Sequence, residues 1–473
     1  MRGSNWWGRQ QAHGIIRVAL VAGIVGTSVS IGAPAATAAR PPAIDMSALP
    51  ADAAPKPAAD VEIANPCTST RTRNSMATPP SQVYLGLEPA WQFSKGAGQT
   101  VAVIDTGVAR HPRLPNLIGG GDYVADSDGT QDCDAHGTFV AGLIAAQPST
   151  SDTFVGVAPE AQIIAIRQSS GAYRVKGREV DPNDPKNGGG VGTVSSLADA
   201  VRHAADMGAT IINISEVACG TPSMADRKLG AAVAYAATVK DAVIVASAGN
   251  TDNKNCTGNP GINPLNPGAD PWDSMTTAVT PAWYDDYVLS VGSVDLNGQP
   301  SKFTVPGPWV GVSAPGEQIV SLDPNSAGLA YATITTQGAD ANIAGTSFAA
   351  PYVAGVAALV RDRFPNLTAA QVIHRIQATT HKTPEGWNPF GGFGTIDPVA
   401  ALTHDVDTTQ VLTKKPSSAL GRNIQLPVPE AAPAPDNTAR NVSLIGAGVV
   451  ALLCILGYLA SFPLNRAFRG RGD

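Results

Sequence analysis

The run Thr100-Val-Ala-Val-Ile-Asp105-Thr-Gly107 (TVAVIDTG) decides the fold class. It is apolar and largely β-branched up to Ile104, then stops at a carboxylate and a glycine. A continuous apolar run of this length reads as a strand covered on both faces, as in a parallel sheet. Such a sheet needs helices between its strands, and the chain supplies them out to Asp397. GTFVAGLIAA, QIIAIR, SLADAVRHAADMG, ATIINIS, LGAAVAYAATV, AVIVASAGN and VLSVGSV alternate between helical and strand character. The expectation is a three-layer α/β domain with a central, mainly parallel sheet. In such sheets functional groups gather at the carboxyl ends of the strands, and three of these strands end in Asp105, Ser215 and Asn250. Two stretches interrupt the alternation: residues 170–192 are polar and Gly-rich, and residues 250–274 are rich in Asn, Pro and Gly. Both read as long surface loops.

The chain has 473 residues, 43% hydrophobic and 15% charged, enough for one large core with appendages. Its net charge of −6 is spread along the length, and no dense Lys/Arg patch points to nucleic acid. Arg2 and Arg9 precede an apolar run from Ile15 to Ile31 and a small-residue end at Ala36-Thr37-Ala38, the layout of a secretory signal peptide over residues 1–38. Arg17 interrupts that run, so an uncleaved anchor is the alternative; either reading exports the chain. Residues 39 to about 65 are rich in Ala, Pro and Asp and read as an extended or loosely ordered arm. Residues 404–441 read as a Pro/Ala-rich linker, spanning on the order of 120 Å at full stretch. Val442 to Leu464 is uncharged for 23 residues, long enough for a hydrocarbon core of ~30 Å. Arg466, Arg469 and Arg471 follow it and place the tail, residues 465–473, in the cytoplasm and the domain outside the cell membrane.

Cys67, Cys133, Cys219 and Cys256 lie in the exported part, while Cys454 lies in the apolar span. An even number in an oxidising compartment reads as two disulfides, with three possible pairings. No Cys-x-x-Cys and no His spacing supports zinc, so no metal or cofactor is expected.

The second decisive stretch is Gly345-Thr-Ser-Phe-Ala-Ala-Pro351 (GTSFAAP), followed by the helical run YVAGVAALV. Ser347 is either a helix-capping serine or a nucleophile. A serine hydroxyl needs a base to take its proton, which directs attention to the seven histidines. His13 falls in the signal, His203 and His374 in amphipathic helices, and His381 and His404 in polar C-terminal sequence. His111 and His136 remain, and His136 opens HGTFVAGLIAA, where small residues permit tight packing at a helix start. The base in turn needs a carboxylate to hold its tautomer, and Asp105 projects from a strand end. Each residue alone has an ordinary reading as a cap or turn residue; together they suggest a constellation.

AVIDTGV with His111-Pro112, HGTFVAGLIAA and GTSFAAPYVAGVAALV resemble the three active-site segments of the subtilisin-like serine proteases, in the order Asp, His, Ser. The resemblance runs from about Leu87 to Ala401; the lipase pattern G-x-S-x-G fails at Ala349. It implies that Ser347 attacks a peptide carbonyl, that His136 takes and later donates its proton, and that Asp105 orients the imidazolium. It also implies an oxyanion hole made by Asn250 and the backbone N–H of Ser347. Ser215 and Glu216 match the segment that pairs with an extended substrate, except that many subtilases follow this serine with Leu-Gly where Glu216 and Val217 stand here. Residues 122–134 (DYVADSDGTQDCD) carry five aspartates and read as a solvated acidic loop or, alternatively, a calcium site.

A narrower resemblance is to the mycosins, membrane-anchored subtilases of mycobacterial type VII secretion systems. Its basis is the signal, the Ala/Pro-rich extension, NISEVACG, ASAGN, four exported cysteines, the linker and the single C-terminal span. It implies that the extension, residues 39–85, wraps a protease domain of residues 86–403, with bridges Cys67–Cys133 and Cys219–Cys256. It also implies two functional classes: an endopeptidase acting on exported polypeptides outside the membrane, or a structural subunit of the secretion membrane complex with dispensable proteolysis.

Overall fold

Alternate side chains of the strand Thr100–Asp105 (β1) enter different cores. Val101 and Val103 pack into one, Ala102 and Ile104 into the other, which is why the strand reads as continuously apolar. The structure, a computed structural model, describes residues 39–73, 77–177, 190–224, 226–253, 255–266, 268–409, 412, 414 and 438–469. The expected signal peptide, most of the expected linker and residues 470–473 lie outside the described residues.

Leu117–Asp122 (β2), Gln162–Arg167 (β3), Ile211–Ile214 (β4), Val243–Ser247 (β5), Val288–Val294 (β6), Val310–Pro315 (β7), His381–Lys382 (β8) and Gly394–Thr395 (β9) complete a nine-stranded sheet in the order β8-β9-β7-β6-β5-β4-β1-β3-β2. Every neighbouring pair is parallel except β8 with β9 at one edge. Helices Val194–Asp206 (α2) and Arg227–Thr238 (α3) cover the face that takes Ala102 and Ile104. His136–Ala145 (α1), Thr346–Arg363 (α4) and Ala369–Ala378 (α5) cover the other. Residues Thr346 to Val360 of α4 are all buried, and its small residues let the chain come close: a Cβ on Gly355 would stand 2.4 Å from Val157 Cβ.

β1 lies between β3, reached earlier in the chain, and β4, reached later on its other side. The strand order reverses there, and Asp105 ends β1 at that switch point. The three strand ends carry Asp105, Arg167 and Asp122 in register.

Outside this sheet, Val61–Ile63 pairs antiparallel with Tyr173–Val175, and Thr70–Thr72 with Leu329–Ile334. Thr68 N donates to Cys133 O at 2.8 Å, and Thr70 Oγ1 to Asp323 Oδ1 at 2.7 Å. Ala39, Ile44 and Leu49 pack against the core under α2 and α3. Cys67 is bonded to Cys133, and Cys219 to Cys256.

Residues 438–469 belong to a separate unit. Its helix, Thr438–Arg469 (α6), begins four residues before the expected span and continues through Pro463. Thr438–Ala460 is the segment long and apolar enough to cross a membrane among the described residues.

Candidate active site

His136 begins α1, and Ala135, Gly137 and Asp132 set its position. The N-cap, Ala135, takes φ 68°, a left-handed conformation that costs an alanine energy and turns the chain sharply into the helix. Gly137 follows because nothing larger fits: a Cβ there would lie 2.0 Å from Gly107 O. Asp132 then caps α1 from outside, Oδ2 accepting from Thr138 N at 2.8 Å and from Thr138 Oγ1 at 2.6 Å. Its other oxygen accepts from Thr106 Oγ1 at 2.9 Å, and Thr106 Oγ1 accepts from Gly137 N at 3.0 Å. The turn after β1 and the start of α1 are thereby tied together.

That framework brings His136 Nδ1 to 2.7 Å from Asp105 Oδ1. Asp105 is fully buried, and the same oxygen accepts from Thr106 N at 2.8 Å. Desolvation opposes protonation of His136, but the adjacent Asp105 charge and hydrogen bond, then Glu216 and Asp132, outweigh it and raise the imidazole above its ordinary pKa.

Ser347 is the second residue of α4, largely buried at the helix N-terminus. It is not the cap. Gly345 takes that position without a side-chain bond, and Asn250 does the capping across space: its Oδ1 accepts from Thr346 N and from Thr346 Oγ1, each at 2.9 Å. With Oδ1 occupied by two donors, the Asn250 NH2 points elsewhere. A Cβ built on Gly345 would stand 3.2 Å from Asn250 Nδ2 and 2.9 Å from Ser347 Oγ. Glycine therefore keeps open the space that both groups border. Phe348, the next residue, lays its ring on His136 with centroids 4.9 Å apart.

Ser215 and Glu216, adjacent in sequence, serve different surroundings. Ser215 is buried; its Oγ donates to Ser347 O at 2.8 Å and accepts from Asn213 Nδ2 at 2.9 Å, while its carbonyl accepts from Ser247 Oγ at 3.1 Å. Glu216 is more exposed and brings Oε1 to 3.6 Å from His136 Nδ1. Among the described residues, Asp105, His136 and Glu216 form a group of side chains with donors suited to a cation, although Asp105 and His136 are already bonded to each other.

The acidic stretch is a solvated loop only in part: Asp126 and Asp128 are exposed, and the other three aspartates are held by protein groups. Asp122 is buried and paired with the buried Arg167, Asp132 caps α1, and Asp134 Oδ1 accepts from Gly171 N at 2.9 Å and Ala172 N at 3.0 Å. Asp128 accepts from Thr130 N at 2.9 Å, so four of the five aspartates meet protein donors. His111 is also buried, its Nδ1 accepting from Arg113 N at 3.1 Å. Asp132, Thr106, Gly345 and Phe348 carry much of this arrangement and were not singled out from sequence.

A buried carboxylate on a histidine, with a serine at a helix start beside an asparagine amide, is the arrangement of a serine hydrolase. The subtilase family (Peptidase_S8) matches residues 96–394, and the chain belongs to that family of serine endopeptidases. Mycosin-4 of Mycobacterium tuberculosis is 46% identical over 451 residues, covering 93% of this chain and 94% of that protein. The structure of MycP3 protease from the type VII (ESX-3) secretion system is similar at TM-score 0.72 and 46% identity, covering 77% of this chain and 100% of that one. A chain of an intact ESX-5 inner membrane complex is similar at TM-score 0.74 and 43% identity, covering 89% and 98%. Within the subtilases, the chain belongs with the mycosins.

Proposed function

We propose that Asp105, His136 and Ser347 are the catalytic triad of this endopeptidase, with Asn250 and the Ser347 N–H as its oxyanion hole. The 2.7 Å contact between His136 Nδ1 and Asp105 Oδ1 carries the reading. It fixes the tautomer that leaves Nε2 free to act as base. His136 takes the Ser347 proton as Oγ bonds to the substrate carbonyl carbon, and the new oxyanion meets the Asn250 NH2 and the positive end of α4. The imidazolium then protonates the leaving amine; water, losing its proton to His136, attacks the acyl enzyme, and Ser347 leaves with that proton as the acid is released. Glu216, beside His136, borders the path of an extended polypeptide substrate.

α6 anchors the protein as a single span, with the domain outside the membrane and the C-terminus cytoplasmic. Supporting this are the apolar length of Thr438–Ala460, the arginines that follow, and the two disulfides of the domain. Its substrates are polypeptides exported by a type VII secretion system. A second reading, a structural subunit of the secretion membrane complex, is favoured by the likeness to a chain of the ESX-5 complex. Cells lacking the protein, complemented with wild type or Ser347→Ala, separate the two. Proteolytic processing of exported proteins lost with secretion retained supports the enzyme role. Secretion lost in the deletion but restored by Ser347→Ala supports the structural one, and processing unchanged in Ser347→Ala contradicts the triad's part in it.

A further inference from the structure

The histidine of this site has two carboxylates on one nitrogen. Asp105 Oδ1 lies 2.7 Å from His136 Nδ1 and Glu216 Oε1 lies 3.6 Å from the same atom. One donor atom from each of the three residues falls within 4.8 Å of the others. Glu216 follows directly on Ser215, which is bonded to the Ser347 carbonyl, so its backbone is fixed to the nucleophile's helix.

We propose that Glu216 is a positioning residue of this protease, a second carboxylate that shares His136 with Asp105 and sets the pH range in which the enzyme works. The proposal rests on His136 being the general base named above. The charged groups that act most strongly on His136 are acidic: Asp105 from the end of β1, Glu216 from the segment after β4, and Asp132 from the turn before α1. From α4, the uncharged Phe348 ring meets the imidazole with centroids 4.9 Å apart. Asp134 adds a further negative charge toward Glu216. An imidazolium in this surrounding is stabilised by each carboxylate, and only the neutral imidazole can take the Ser347 proton. Glu216 therefore opposes the resting base at low pH and favours the imidazolium that forms as Ser347 attacks. A substrate lying over Glu216 removes water from it and strengthens that second effect.

The test is the pH dependence of labelling by a fluorophosphonate probe, measured on the full-length protein in detergent. Ser347 Oγ bonds to phosphorus, fluoride leaves, and His136 takes the proton, so the rate follows the neutral imidazole without a known substrate. Glu216→Gln is expected to move the acid limb down by roughly one pH unit. Glu216→Asp, which keeps the charge on a shorter side chain, is expected to return part of that shift. Because the Glu216 side chain is 38% exposed, the difference between wild type and Glu216→Gln should shrink in molar salt. An acid limb unmoved in both variants overturns the proposal, as does a limb that moves equally in both, since that tracks packing rather than charge. If Glu216→Gln does not fold, the wild-type limb in low and high salt decides: no salt dependence overturns it. Failure of the triad reading looks different, because Ser347→Ala would then still be labelled.

Discussion

Asn250 and Thr346 are joined twice, Asn250 Oδ1 accepting both the backbone N–H and the hydroxyl of Thr346 at 2.9 Å. With the oxygen bonded to the start of α4, the NH2 is the part of the carboxamide that the proposed oxyanion hole uses. Asn250→Ala removes the donor and the cap together. It should lower kcat by roughly 100- to 1000-fold with a smaller change in KM. Asn250→Asp keeps the cap and replaces the donor by a negative charge, so its kcat should fall at least as far. Steady-state kinetics on a fluorogenic peptide checks this, and a wild-type kcat in Asn250→Asp would remove Asn250 from the oxyanion hole.

Gly345 tests the same space by filling it. Alanine would put Cβ 2.9 Å from Ser347 Oγ and 3.2 Å from Asn250 Nδ2, and would hold φ near 154° at a cost of about 1–3 kcal/mol. The variant should still fold, with a lowered midpoint in urea, and lose hydrolysis by about 100-fold or more. Hydrolysis close to wild type in Gly345→Ala would mean the reaction does not use that space.

His136 should move activity and stability in opposite directions with pH. Its folded pKa is raised, above all against desolvation by the Asp105 charge, so the charged form is bound more tightly in the folded state. The stability it contributes is fully present below the unfolded value, about 6.5, and is lost as pH rises through the folded value. Catalysis needs the neutral form and rises over that same interval. Urea midpoints of wild type and His136→Ala should therefore converge with increasing pH while wild-type kcat/KM climbs. Midpoints that diverge with rising pH would contradict the sign.

The Cys67–Cys133 bond joins the N-terminal arm to the residue next to Asp132, the cap of the helix that carries His136. It closes a sequence separation of 66, for which chain entropy alone gives about 4 kcal/mol. Cys67→Ser with Cys133→Ser should lower the urea midpoint and also slow hydrolysis, because the cap of α1 is freed as well. A variant destabilised but with unchanged kcat would confine the bond to holding the arm.

The layered α/β fold was legible because β1, β3, β4, β5 and β6 are buried on both faces and read as apolar runs. β2 was not, since Gly119, Gly120 and Gly121 interrupt its apolar pattern, and neither was β7, where VGVSAP carries glycine and proline. The antiparallel pairs made by Val61–Ile63 and Thr70–Thr72 were invisible for a different reason. Three-residue strands have no readable period, and their partners lie about 110 and 260 residues away in sequence. Within the site, Asp105, His136, Ser347 and Asn250 stood out by residue type at strand and helix ends. Asp132 did not, because the sequence cannot tell a buried cap from one of several aspartates in an acidic stretch. Glu216 was visible as a departure from Leu-Gly, while its approach to His136 Nδ1 depends on how the turn after β4 folds back.

Whether Ser347 is a nucleophile activated by His136 and Asp105 is decided by mapping a fluorophosphonate adduct on the full-length protein by peptide mass spectrometry. One adduct is predicted, on Ser347, absent in Ser347→Ala and formed at least 100-fold more slowly in His136→Ala. No adduct on the folded wild type, or one that persists in Ser347→Ala, would mean that Ser347 is not the nucleophile.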